Sequence, residues 1–240
     1  MIYETPFTIY THLSDRYCRL TMHGMAQLFQ EVAELHCTST GVGFRQLYEN
    51  GKAWVLSRVS YRILSRYPRL DEQVRLRTWS RGCDGLYCYR DFEILSQMNE
   101  VLVAATSQWV IIDYNNRHVV RIRTEMQNYE HHEQSALAIN PEKIIIPEGM
   151  QPVRSFHAPY SAIDKAQHVN NAEYIRWIED VLPGTIQEKG ITGFDINYLL
   201  ETRPDELVQI SQKSEADSFW IQISNSRSVS TNCKIFFQRS

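Results

Sequence analysis

The stretch Tyr160-Ser161-Ala162-Ile163-Asp164-Lys165-Ala166-Gln167-His168-Val169-Asn170-Asn171-Ala172-Glu173-Tyr174 sets two ionisable side chains, Asp164 and His168, just ahead of a helix. That helix is predicted over about 171–182, with Tyr174, Trp177, Ile178 and Val181 at helical spacing and Pro183-Gly184 as the stop. A loop at a helix start lies beside unpaired backbone N–H groups and the positive end of the helix dipole, which favour a developing oxyanion. Hydrolysis of an acyl group needs such a donor, together with a base that activates water or a carboxylate that attacks the carbonyl. The same residues also have a purely structural reading. Asn170 or Asn171 then caps the helix, and Asp164 and His168 share a loop hydrogen bond. Residue types alone leave both open.

Upstream, Met25, Leu28, Phe29, Val32 and Leu35 recur at spacings of three and four and put one apolar face on a first helix. Thr21 is placed to cap it, and Gly41 and Gly43 to end it. Strands are predicted over 54–64, 74–79, 86–95 and 101–114, and in the second half over 154–157, 194–201, 206–212, 219–224 and 231–237. Laying Phe156 on Phe7, a shift of 149 (156 − 7), also lays Asp164 on Asp15, Tyr174 on Met25, Trp177 on Leu28, Ile178 on Phe29 and Val181 on Val32. One strand-helix-strands plan is therefore read as used twice. Residues 1–126 and 153–240 form the halves. The polar stretch 127–152 links them and tucks down Ile144-Ile145-Ile146, bracketed by Pro141 and Pro147. The expected fold class is α+β, each half a long helix gripped by an antiparallel sheet, with an apolar slot between helix and sheet.

With 43% hydrophobic and 22% charged residues in a chain of 240, a packed core is expected rather than disorder. The N-terminus has no basic lead or apolar run of a signal peptide, and Trp109-Val110-Ile111-Ile112 is far too short to cross a bilayer. A cytoplasmic protein is expected. The five cysteines, Cys18, Cys37, Cys83, Cys88 and Cys233, are odd in number and hold no CxxC pair, so they are read as buried small hydrophobes rather than a disulfide framework or zinc site. His131-His132 lacks a third nearby ligand, and neither a metal nor a cofactor is expected. A formal net charge of -3 argues against a sequence-independent grip on nucleic acid.

The octet Asp164-Lys165-Ala166-Gln167-His168-Val169-Asn170-Asn171 resembles the loop Asp-x-Asn-x-His-Val-Asn-Asn of the acyl-acyl carrier protein (ACP) thioesterases of plants and bacteria. Gly51-Lys52-Ala53-Trp54-Val55-Leu56-Ser57-Arg58, Tyr89-Arg90-Asp91-Phe92 and Ser107-Gln108-Trp109-Val110-Ile111-Ile112-Asp113 look like segments of that family's first half, in the same order. The resemblance implies a double hotdog fold and hydrolysis of a fatty acyl thioester carried on ACP, releasing free fatty acid. It implies Asp164 and His168 as catalytic residues, with Glu201 matching the family's catalytic Glu; without it, Glu201 reads as a solvated acid at a strand end. Amides near Asn170 and Asn171 would polarise the carbonyl, Asp164 would attack or orient water, and His168 and Glu201 would manage the proton.

Two positions depart from the family. Ala166 replaces its Asn and offers no side-chain donor, a job that would fall to Gln167, to water or to nothing. Thr202 stands where plant members carry a Cys, which argues against a thiol mechanism at this site. Met25 and Phe29, on the broad apolar face of the first helix, are read as lining the acyl pocket. Arg19 is the counterpart of His168 (168 − 149 = 19), so one active site is expected. Arg58, Arg62, Arg117, Arg121 and Arg123 read as ordinary surface or as a docking mouth for acidic ACP. A homodimer stays open. So do an acyl-CoA thioesterase, a hotdog enoyl-thioester hydratase and a non-catalytic acyl-binding protein.

Overall fold

The structure is a computed structural model of the chain and describes residues 1–121, 130–215 and 218–237. It divides into two compact units, Met1–Thr21 with Gln27–Pro141, and Met22–Ala26 with Glu142–Ser240.

The first unit holds β1 (Tyr3–Thr8), α1 (Met22–Ser39, whose first turn falls in the second unit), α2 (Phe44–Glu49), β2 (Lys52–Ile63), β3 (Gln73–Asp84), β4 (Tyr87–Ser96), β5 (Val101–Asp113) and β6 (Val119–Val120). Its antiparallel sheet runs β1-β3-β4-β5-β2, with β6 beside β5. Within this unit α1 buries Leu28, Phe29, Val32 and Ala33. Phe29 stacks on Phe92 at 4.8 Å and on Tyr61 at 5.8 Å between ring centroids. Burying each such side chain contributes about 1.5–3 kcal/mol. Leu35, expected on this face, is exposed, and His36 is buried instead. At the joint between α1 and α2 only glycine fits at Gly43, where a Cβ would lie 2.6 Å from Thr38 Oγ1.

The motif Tyr89-Arg90-Asp91-Phe92 is structural here. Arg90 is buried and donates to His36 Nδ1 (3.0 Å), Thr78 Oγ1 (3.1 Å) and Cys37 Sγ (3.1 Å). The fully buried Asp91 contacts Arg81 at 3.0 Å and accepts from the Ala136 N–H at 2.6 Å, while Trp79 donates to the Gln134 carbonyl. The segment after the first half is thereby fastened along its own sheet. Cysteine usage also differs from expectation. Cys83 and Cys88 are joined in a disulfide, and Cys18 is exposed; only Cys37 and Cys233 are buried free thiols. The hairpin register makes the pair, because β3 and β4 put Cys83 directly opposite Cys88.

The second unit holds β7 (Gln151–His157), α3 (Asn171–Val181), α4 (Gly184–Lys189), β8 (Gly193–Tyr198), β9 (Leu207–Glu215), β10 (Ser218–Asn225) and β11 (Val229–Phe236). Its sheet runs β7-β9-β10-β11-β8, also antiparallel, and α3 buries Ala172, Tyr174, Ile175, Trp177 and Ile178. Numbered from its own first strand, each unit has the order 1-3-4-5-2, so each is a hotdog and the chain is a tandem of them. The shift of 149 holds at single atoms. Cys18 and Gln167 both have left-handed backbones, at φ 58° and 64°, and the bridge Ser14–Leu20 repeats as Ile163–Val169.

Of the isoleucine triplet only Ile144 is tucked down; Ile145 is 78% exposed. The buried Asn197 holds this point, accepting from the Ile144 N–H and donating to the Glu142 carbonyl. β8 stops at Tyr198, short of the expected 201, where Leu199 and Leu200 share the Ser230 carbonyl. The Thr202 N–H goes to the Tyr174 hydroxyl (3.0 Å). Glu201 thus lies in a connection rather than a strand.

Candidate active site

The loop ahead of α3 is shaped by its own backbone. After a 3-10 turn at Tyr160–Ala162, the Asp164 N–H donates to the His168 carbonyl (2.9 Å) and the Gln167 N–H to the Asp164 carbonyl (3.0 Å). Left-handed Gln167 closes this turn and leaves its own side chain exposed. Asn170 caps α3, its Oδ1 accepting from the Ala172 N–H at 2.8 Å. The Asp164 carboxylate points back into the turn. Its Oδ1 accepts from the Ala166 N–H at 2.8 Å, and Asn170 Nδ2 lies a long 3.5 Å from its Oδ2.

Glu201 meets this loop from the β8–β9 connection. His168 Nε2 is 3.0 Å from Glu201 Oε1, with both side chains half-buried. One backbone strut fixes the approach, since the Val169 N–H donates to the Thr202 carbonyl at 2.9 Å and so ties the neighbours of the two side chains. Tyr174 accepts from the Thr202 N–H, and burial pushes its phenol up to about 12, which keeps it neutral. The Tyr198 hydroxyl donates to the Asn171 carbonyl at 3.0 Å. The Asn171 N–H has no acceptor among the described residues, the condition required of an oxyanion donor. A His–Glu pair able to pass a proton, a held carboxylate and an open helix amide therefore sit on one short loop and its neighbour.

The counterpart loop in the first unit is built differently. Arg19 places both Nε (2.9 Å) and a terminal nitrogen (2.8 Å) on Asp15 Oδ2, so that carboxylate is occupied by a guanidinium where the second unit has a His–Glu pair. Of the remaining expected residues, Met25 and Phe29 are buried, and Met25 falls in the second unit. Arg62 donates to the Tyr61 carbonyl, Arg117 lies over the Tyr114 ring, and Arg123 lies outside the described residues. No cluster of three or more His, Cys, Asp or Glu able to hold a metal occurs among the described residues. Sequence reasoning missed the contact of Tyr174 with the Thr202 N–H. Its signal was a hydroxyl on an otherwise apolar helix face.

Family models of the acyl-ACP thioesterase N-terminal domain and C-terminal domain match residues 1–129 and 147–238. The chain belongs to the acyl-ACP thioesterase family. Curated members similar to it include the chloroplastic palmitoyl-acyl carrier protein thioesterase of Gossypium hirsutum, 28% identical over 203 residues that cover 75% of this chain and 47% of the relative. The chloroplastic oleoyl-acyl carrier protein thioesterase 2 of Arabidopsis thaliana is 27% identical over 81% of this chain and 58% of its own length. The chain thus spans about half the length of the curated relatives it matches. Among solved structures, an acyl-ACP thioesterase from Bacteroides thetaiotaomicron superposes with a TM-score of 0.91 at 24% identity, covering 99% of this chain and 98% of that one. The 12:0-ACP thioesterase from Umbellularia californica superposes with 0.88 at 19% identity, covering 100% and 98%. These two likenesses establish the family's double hotdog fold. Among the described residues, no helix is long and apolar enough to cross a membrane.

Proposed function

We propose that the chain hydrolyses the thioester of a fatty acyl group carried on ACP, releasing free fatty acid and ending chain elongation. The observation that carries this reading is the 3.0 Å contact of His168 Nε2 with Glu201 beside Asp164, at the start of α3. Family membership supports the substrate class. In the proposed reaction the Asn171 amide polarises the thioester carbonyl, and Asp164 either attacks it, expelling the thiolate and forming an acyl-Asp anhydride that water then hydrolyses to regenerate the carboxylate, or orients water for direct attack. The His168–Glu201 pair takes the water proton and delivers it to the leaving phosphopantetheine thiolate. The C–S bond breaks, a C–O bond forms, and acid and thiol leave.

We also propose that residues 1–126 form the half receiving the acyl chain, residues 127–152 the link, and residues 153–240 the half carrying the chemistry. Arg19 locked on Asp15 supports a single active site. Met25 and Phe29 are proposed as pocket residues, and Asn170 and Asn171 as substrate-binding. Acyl-CoA hydrolysis is the second reading, because coenzyme A presents the same phosphopantetheine thioester. Turnover of one acyl group on both carriers, across a panel of chain lengths, tests the proposal. Higher kcat/KM on ACP is expected. A preference for CoA supports the second reading, and absence of fatty acid release from either carrier contradicts both.

A further inference from the structure

The β10–β11 turn reaches the backbone of Glu201 through two side chains. Asn225 Nδ2 donates to the Glu201 carbonyl at 3.1 Å and lies 3.3 Å from Thr202 Oγ1, and the Arg227 guanidinium donates to the same carbonyl. The orientation of the Asn225 amide is set by its other end. Its Oδ1 accepts from the N–H groups of Arg227 (3.0 Å) and Ser228 (3.1 Å), so only Nδ2 is left to face Glu201. Arg227 is itself fixed by Glu206, with Nε 2.8 Å from Oε1, and Glu206 also accepts from Ser226 Oγ (2.6 Å) and the Arg203 N–H (2.9 Å). Together with Tyr174 on the Thr202 N–H and Val169 on the Thr202 carbonyl, the backbone of residues 201–202 is held from the turn, from α3 and from the Asp164–His168 loop.

We propose that Asn225 and Arg227 are positioning residues, which set the reach of the Glu201 carboxylate to His168 by clamping the Glu201 carbonyl. The proposal rests on the hydrolytic reading of that pair. Both act through Glu201. A misplacement of the order of an ångström at a proton-transfer pair lowers turnover by up to roughly 10²-fold.

The test is a double-mutant cycle on fatty acid release. Asn225→Asp keeps the acceptors that close the turn and removes the donor to Glu201; Asn225→Ala and Arg227→Gln remove the contacts outright. Each is expected to lower kcat by roughly 10- to 100-fold with KM within about twofold, and Arg227→Lys to recover much of the loss. In a Glu201→Gln background the same changes are expected to add almost nothing, since the group they position is already gone. Equal losses in both backgrounds would overturn the proposal and show a merely structural role. A crystal structure of Asn225→Asp supplies a readout independent of activity. The proposal expects the 3.0 Å His168–Glu201 contact to open, and an unmoved contact overturns it. If the wild-type chain releases no fatty acid yet the contact opens, the hydrolytic reading fails while the clamp stands.

Discussion

The Ala166 backbone N–H holds Asp164 Oδ1 at 2.8 Å, a bond that does not depend on the side chain at this position. The Gln167 amide, the obvious substitute on sequence grounds, is exposed and has no hydrogen-bond partner among the described residues. Gln167→Ala is therefore expected to leave kcat/KM within about twofold, and a loss beyond roughly tenfold would show that Gln167 works on the bound substrate. Thr202→Ala is expected to be mild in turnover and to cost about 1 kcal/mol of stability through its lost contact with Asn225, read from urea unfolding. The place of Asp164 and His168 ahead of a helix was legible in the sequence, whereas Glu201 came forward only through the family resemblance, and the structure puts it 3.0 Å from His168. The device that orients Asp164 was not legible, since it depends on a left-handed backbone at Gln167, a residue type that does not announce one.

Among elements, the start of α1 shows what local sequence cannot carry. The Thr21 hydroxyl donates to the Leu13 carbonyl, and the N–H groups of Met22 (2.7 Å) and His23 (2.9 Å) go to the carboxylate of Glu179, far along the chain. A carboxylate there satisfies two orphan donors and the helix dipole together. Glu179→Ala is expected to cost about 1–3 kcal/mol in urea unfolding with an unchanged m-value; a change under about 0.3 kcal/mol would contradict this role. The apolar periodicity of α1 and α3 was plain, and so were most strands. The short α2 and α4 were not, nor was the early end of β8, which falls where Leu199 and Leu200 share the Ser230 carbonyl. Phe29→Ala, which removes a ring stacked on Phe92 and Tyr61, is expected to cost about 3–5 kcal/mol and to shift the acyl preference toward longer chains. An unchanged chain-length profile would put the pocket elsewhere.

For the molecule as a whole, acid stability follows from groups in both units. Burial, then the neighbouring Arg90 charge, lowers His36 from 6.5 to about 4, so its neutral form is the folded one. The unfolded chain then binds more protons between pH 6.5 and about 4, and this contribution to stability is full above 6.5 and lost as pH falls through that window. Hydrogen bonds from Arg227 hold Glu206 down at about 2 against 4.5, so its contribution is present above 4.5 and lost as pH falls toward 2. Thermal melts of His36→Asn are expected to flatten the upper window, and those of Glu206→Gln the lower one; unchanged pH dependence would contradict the assignments. The repeated plan was legible in the shift of 149, whereas the different fates of Asp15 and Asp164 rest on Arg19 standing in place of His168. That difference confines the proposed chemistry to one loop, and free fatty acid release from acyl-ACP by wild type and Asp164→Asn measures it most directly. With matched melting curves, the variant is expected to lose activity by at least about 10³-fold. Retention of most of the wild-type rate would contradict the account.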